Sequence, residues 1–132
     1  TVVQMNRREA AMRLRKPTAS DDDVFELLRD WRRRGVDWAV VTDGPGAVFA
    51  RMGDVLYGAT PPRIEVRNPI GSGDSMLAGL VDARLRGLEP EAALRRAVAC
   101  AAANASVWDA GAIDPDVVDR LVEEVDVEVE AV

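Results

Sequence analysis

The sequence predicts an α/β fold with a largely parallel sheet. Two observations carry that expectation. Continuous apolar runs such as Trp38-Ala39-Val40-Val41-Thr42 read as strands buried on both faces, and they alternate with segments of helical spacing. Helical segments then gather in the second half of the chain, after the glycine-rich stretch that begins near Asn68.

Taken in order, Val2-Val3-Gln4-Met5 opens as a short buried strand, and from Asn6 the pattern turns helical, with Ala10, Met12 and Leu14 set among charged residues. Lys16-Pro17-Thr18-Ala19 reads as a loop. Ser20 then caps a helix whose first turn holds Asp21, Asp22 and Asp23, where acids favour the positive end of the helix dipole. Val24, Leu27, Leu28 and Trp31 recur at helical spacing, and Gly35 stops the helix after Arg32-Arg33-Arg34. Those arginines read as a solvated helix end. Strands are expected at Trp38–Thr42, Ala47–Ala50 and Val55–Tyr57, with a turn at Asp43-Gly44-Pro45-Gly46.

After Pro61-Pro62 a short strand, Ile64-Glu65-Val66, is expected to lead into the glycine loop. Helices follow from about Asp74 to Arg86, from Pro90 to about Trp108, and from Asp114-Pro115 through Leu121 and Val122. The last residues, Glu123 to Glu130, alternate apolar and acidic types, which suits either an edge strand or a frayed, solvated end. The domain reading is therefore a globular portion at 1–122 and an acidic tail at 123–132. Trp31, Trp38 and Trp108 are expected to anchor the core.

Composition narrows the chemistry. The chain has 132 residues, 48% apolar and 30% charged, which suits one soluble domain with a substantial core. No apolar run is long enough for a membrane helix, and the apolar start is too short for a signal peptide. The single cysteine, Cys100, precludes an internal disulfide and fits a cytoplasmic setting. With no histidine at all, a Ser-His-Asp nucleophile system and His-ligated zinc are excluded. A net charge of −6 argues against non-specific nucleic-acid binding.

One segment stands out: Asn68-Pro69-Ile70-Gly71-Ser72-Gly73-Asp74-Ser75-Met76-Leu77-Ala78-Gly79. Three small residues leave backbone N–H groups uncovered where the positive end of a helix points, which suits a phosphate or a developing phosphoryl charge. Asp74 beside such an anion makes sense if its carboxylate takes a proton from an attacking hydroxyl. Met76 occupies the third glycine position of a dinucleotide fingerprint, and no Gly-Lys-Ser/Thr follows for a P-loop.

That segment resembles the second signature of the PfkB, or ribokinase-like, carbohydrate kinases, in the form found in 1-phosphofructokinases and tagatose-6-phosphate kinases. Asn6-Arg7-Arg8-Glu9 is similar to the family's Asn-x-x-Glu, and Ala101-Ala102-Ala103-Asn104-Ala105 followed by Gly111 is similar to its C-terminal adenine-bordering helix. The resemblance covers about Val2 to Leu121 and implies a three-layer sandwich, of which this chain is the C-terminal part. It implies ATP-dependent phosphorylation of a sugar or sugar phosphate, such as fructose 1-phosphate or tagatose 6-phosphate.

On that resemblance Asp74 is the general base, and N–H groups around Gly71, Ser72 and Gly73 form the anion hole. Asn6 and Glu9 hold Mg²⁺ through water. Thr42, Gly44 and Gly46 lie at the nucleotide phosphates, and Asn104 and Gly111 lie near the adenine. The turn at Thr42–Gly46 is one residue shorter than the family's usual spacing. The family's lid and most of its sugar-recognising residues have no counterpart here, so the alternative is a kinase-derived module that binds nucleotide or a partner without independent catalysis. Its partners would be a second copy or the missing N-terminal half.

Local structure offers plainer readings of the same residues. Asn6 and Glu9 have the spacing of a helix N-cap and its capping-box partner. Gly44-Pro45-Gly46 suits a hairpin turn, and Asn104 suits a satisfied amide buried in an alanine-rich helix.

Overall fold

The computed structural model describes residues 1–130 as a five-stranded sheet with helices on both faces. The elements are β1 (Val2–Asn6), α1 (Arg7–Arg13), α2 (Asp21–Arg33), β2 (Trp38–Thr42), β3 (Val48–Met52), β4 (Val55–Thr60), α3 (Ser72–Leu85), α4 (Pro90–Ala105), α5 (Pro115–Val122) and β5 (Asp126–Val129). The strands lie in the order β1-β2-β3-β4-β5.

The α/β class and the three layers agree with the sequence reading; the sheet is mixed rather than largely parallel. Among the described residues only β1 and β2 pair in parallel, with Val2 opposite Trp38 and Asn6 opposite Thr42, while the other three pairings are antiparallel. The reason is connection length. Only Gly53 and Asp54 separate β3 from β4, and parallel neighbours need a crossover of a dozen residues or more. Gly53 takes a φ of +63° in that turn, a conformation glycine adopts without penalty.

Alternate side chains of the strands feed two cores. Ala39, Val41 and Phe49 face α1 and α2, whereas Trp38, Val40, Val48 and Ala50 face α3, α4 and α5. The α2 start is sharply defined, because Ser20 Oγ accepts the Asp23 N–H and the Asp23 carboxylate accepts the Ser20 N–H.

Three further expectations are corrected. Ile64-Glu65-Val66 forms no strand; that stretch is held instead by the end of α4, where the Arg67 and Asn68 N–H groups donate to the Ala105 carbonyl at 2.8 and 3.1 Å. Trp108 is 69% exposed rather than a core anchor, with the Arg67 guanidinium 5.7 Å from its ring centre. Helix α4 ends at Ala105, short of Trp108. In the acidic tail expected at 123–132, residues 126–129 form the edge strand β5, and residues 131 and 132 lie outside the described residues.

Candidate active site

A cleft of about 890 Å³ opens at the end of the sheet where β1 and β2 give way to α1 and to the turn after Thr42. Its walls come from four segments: Gln4, Asn6 and Glu9; Thr42, Gly44 and Pro45; Pro61 to Ile64 with Val66; and Pro69, Gly71 to Asp74, Met76 and Leu77, with Ala101, Ala102 and Ala105 of α4 beneath. The fold thus brings most of the sequence-expected residues into one place. Gly46, Asn104 and Gly111 do not line it.

The glycine loop forms one wall for a clear local reason. Gly71 is the N-cap of α3 with a φ of +82°, and no side chain caps that helix end. A side-chain-bearing residue would be strained there, and a bulky cap would cover the first-turn amides. The Ser72 N–H is turned inward to the Pro69 carbonyl at 3.2 Å, and Ser75 donates to the Gly71 carbonyl at 2.9 Å. Among the described residues, the N–H groups of Gly71, Gly73 and Asp74 have no protein acceptor. The uncovered set is therefore Gly71, Gly73 and Asp74, with Ser72 contributing its hydroxyl elsewhere. Asp74 is exposed, so its carboxylate is open to a bound molecule.

Asn6 and Glu9 form a complete capping box: the Glu9 N–H donates to Asn6 Oδ1 at 2.7 Å, and the Asn6 N–H donates to Glu9 Oε1 at 3.2 Å. The same two residues line the cleft, so the cap and a ligand role share one pair of side chains. No group of three or more acidic or cysteine side chains is arranged to hold a metal among the described residues. Mg²⁺ does not require such a cage, since it keeps several waters and binds through one or two carboxylates and substrate phosphates. Glu9, which lines the cleft beside Asn6, could supply one such carboxylate.

On the second wall Thr42 ends β2, and Gly44 takes a φ of +54° in the turn. Gly46 closes the turn by donating to the Asp43 carbonyl at 2.8 Å, and a Cβ there would sit 3.0 Å from that oxygen. Asp43 is in turn 3.6 Å from Arg7 of α1, which anchors the turn beside the start of that helix.

Sequence reasoning missed Gln4. Its amide lies against Gly73, 3.4 Å from where a Cβ would be, and its Nε2 donates to Thr42 Oγ1 at 3.4 Å. It therefore bridges the two walls. The available signal was a polar residue in the middle of an otherwise apolar strand. Arg63 is the cationic side chain of the lining, and neither its exposure nor its loop setting marked it in advance.

Asn104 sits behind the glycine loop with no exposed surface. Its Nδ2 donates to the Ile70 carbonyl at 2.9 Å and to Ser72 Oγ at 3.1 Å, while its Oδ1 accepts the Gly111 N–H at 2.7 Å. The amide is satisfied within the protein, and it reaches the cleft through the backbone it holds.

A family model described as pfkB family carbohydrate kinase matches residues 1–116. The fold is similar to that of a Staphylococcus aureus protein provisionally assigned as a phosphofructokinase, with 28% identity and a TM-score of 0.86 over 98% of this chain and 42% of that one. It is also similar to phosphofructokinase-2 from Escherichia coli in complex with substrates and products, at 19% identity and a TM-score of 0.82 over 92% of this chain and 40% of that one. A Thermotoga maritima protein provisionally assigned as a 1-phosphofructokinase gives 14% identity and a TM-score of 0.77, covering 98% of this chain and 48% of that one. The chain spans less than half the length of each of these proteins.

Proposed function

Because the chain belongs to the pfkB family of carbohydrate kinases, we propose that it carries the nucleotide and phosphoryl-transfer portion of an ATP-dependent sugar or sugar-phosphate kinase. Residues 1–122 form that portion, and hexose phosphates such as fructose 1-phosphate or tagatose 6-phosphate are its acceptors. The observation that carries the reading is the set of unengaged N–H groups at Gly71, Gly73 and Asp74, opening into the same cleft as the Asp74 carboxylate.

In this reading the acceptor hydroxyl gives its proton to Asp74 as its oxygen attacks the terminal phosphorus of ATP. The bond between that phosphorus and the bridging oxygen breaks, and ADP leaves. The amides of the glycine loop stabilise the charge on the transferring group in place before it develops. Thr42, Gly44 and Gly46 shape the wall for the nucleotide phosphates, while Asn104 and Gly111 underlie the side given to the adenine. Asn6 and Glu9 would hold Mg²⁺, which when bound would neutralise phosphate charge. A cytoplasmic setting belongs to this reading, with Cys100 as a free thiol.

A second reading is favoured by a specific feature. Among the described residues β1 pairs only with β2, leaving its other edge open, and Leu77, Val81 and Leu85 of the neighbouring α3 are exposed at helical spacing. That surface suits a partner, either the N-terminal half of such a kinase or a second copy, and the chain without it would bind nucleotide but not catalyse.

Calorimetry of the chain with Mg·ATP is expected to show binding. Adding the N-terminal half of a family kinase, in cis or in trans, is expected to give ATP-dependent phosphorylation of one of the two hexose phosphates. Asp74→Asn should lower that turnover by about 10²–10⁴-fold and leave Mg·ATP binding in place. Absence of Mg·ATP binding overturns the reading, and binding without turnover supports the module.

A further inference from the structure

We propose that Asn104 is a positioning residue: it locks the glycine loop and the segment around Gly111 to the end of α4, and so sets where the anion-binding amides stand. The inference rests on the kinase reading of that loop.

Asn104 is completely buried, and apart from Ser75 it is the buried polar side chain of the described residues. Its two donors and its acceptor serve three separate backbone or side-chain groups, at Ile70, Ser72 and Gly111. The orientation of the amide is fixed by its neighbours. A carbonyl such as that of Ile70 can only accept and the Gly111 N–H can only donate, so a flipped amide would lose both bonds. An aspartate would lack the donors, and a leucine would leave all three partners unpaired.

Around this amide the loop has few other ties. The Arg67 and Asn68 N–H groups bond to Ala105, Asn68 Nδ2 donates to the Trp108 carbonyl at 2.8 Å, and the Ile70 N–H donates to Asn68 Oδ1 at 3.1 Å. From Ile70 to Ser72, Asn104 supplies the links to α4. Gly71, with its φ of +82°, lies between the two groups that Asn104 holds. The position of the uncovered amides therefore depends on the end of α4 as well as on α3. Gly111, exposed and 40 residues further on than Gly71, is held by the same side chain.

The consequence is selective. The loop faces the phosphoryl group that is transferred, which ATP has and ADP lacks. Loosening the loop should therefore weaken Mg·ATP binding more than Mg·ADP binding, whereas any effect through the adenine side falls on both alike. A residue that merely supports the fold would affect both alike.

The test uses the 132-residue chain. Calorimetry with Mg·ATP and Mg·ADP is run on wild type, Asn104→Ser and Ser72→Ala, the last removing one of the three bonds with Asn104 in place. Asn104→Ser is expected to lose about tenfold in ATP affinity relative to ADP, and Ser72→Ala less, as a lost hydrogen bond of ordinary strength implies. Equal losses, or none in a folded variant, overturn the proposal. If Asn104→Ser does not fold, Ser72→Ala decides. Amide exchange on the nucleotide-free wild type gives an independent reading: the Gly111 N–H should exchange much more slowly than its exposed neighbours, and fast exchange overturns the clamp. If the wild type binds neither nucleotide while Gly111 is protected, the kinase reading has failed and the clamp alone stands.

Discussion

The two faces of the sheet are packed on different principles. On one face, α1 and α2 bury large side chains, including Leu27, Leu28 and Trp31, and Phe25 meets Phe49 edge to face with ring centres 4.9 Å apart. On the other, α3 and α4 approach through small residues: Gly79 would place a Cβ 3.0 Å from the Ala97 Cα, and Ala83, Ala93 and Ala97 are fully buried. Bulky packing gives stability that tolerates some rearrangement. Close helix contact through small residues leaves little room for adjustment, and that is the face from which the glycine loop springs. The glycine loop is built on the layer whose geometry is most tightly specified, and α1 brings Glu9 to the cleft from the other.

That contrast can be broken by substitution. Leu28→Ala, on the bulky face, should cost about 2–5 kcal/mol in chemical denaturation, because it leaves a cavity in a fully buried position. Mg·ATP affinity of the folded protein should not change. Gly79→Val should cost less, about 1–3 kcal/mol from overpacking, yet should also reduce Mg·ATP affinity, since α4 must move and carries Asn104 with it. If the leucine variant alters binding or the valine variant does not, the two faces are not functionally distinct.

The smallest effect concerns acid. Lys16, hydrogen-bonded to the Asp23 carboxylate at 2.6 Å, together with the Ser20 N–H, lowers the Asp23 pKa from 3.8 to about 2. Its folded-state pKa lies below the unfolded one, so this stabilisation is present above about pH 4 and fades as the pH falls toward 2. Lys16→Met should flatten that part of the stability profile, read from urea midpoints between pH 2 and 5, and should leave the cleft unaffected.

Much of this molecule is legible in its sequence, and the exceptions share a cause. The caps at Asn6 and Ser20, the stop at Gly35 and the start at Pro90 are local signals, and each agrees with the structure. The Asp74 loop was visible for the same reason, since its chemistry lies in consecutive residues. Strand direction was misjudged because the apolar run of β2 reads like a strand of a parallel sheet, although the two-residue turn between β3 and β4 permits only an antiparallel pair there. Gln4 and Asn104 are the deeper cases. A polar residue among apolar ones marks each of them locally, but their partners lie 38 and 34 residues away, which no local pattern identifies.

Those same separations bear on the order in which the protein folds. β2, β3 and β4 pair with immediate neighbours across tight turns, so little loop entropy opposes them and they form early. The parallel pairing of β1 must wait for α1 and α2 to cross over, and the amide clamp must wait for α4. The cleft is thus completed only after the β2–β3–β4 meander. A newly made molecule therefore acquires that meander before it acquires any affinity for an anion.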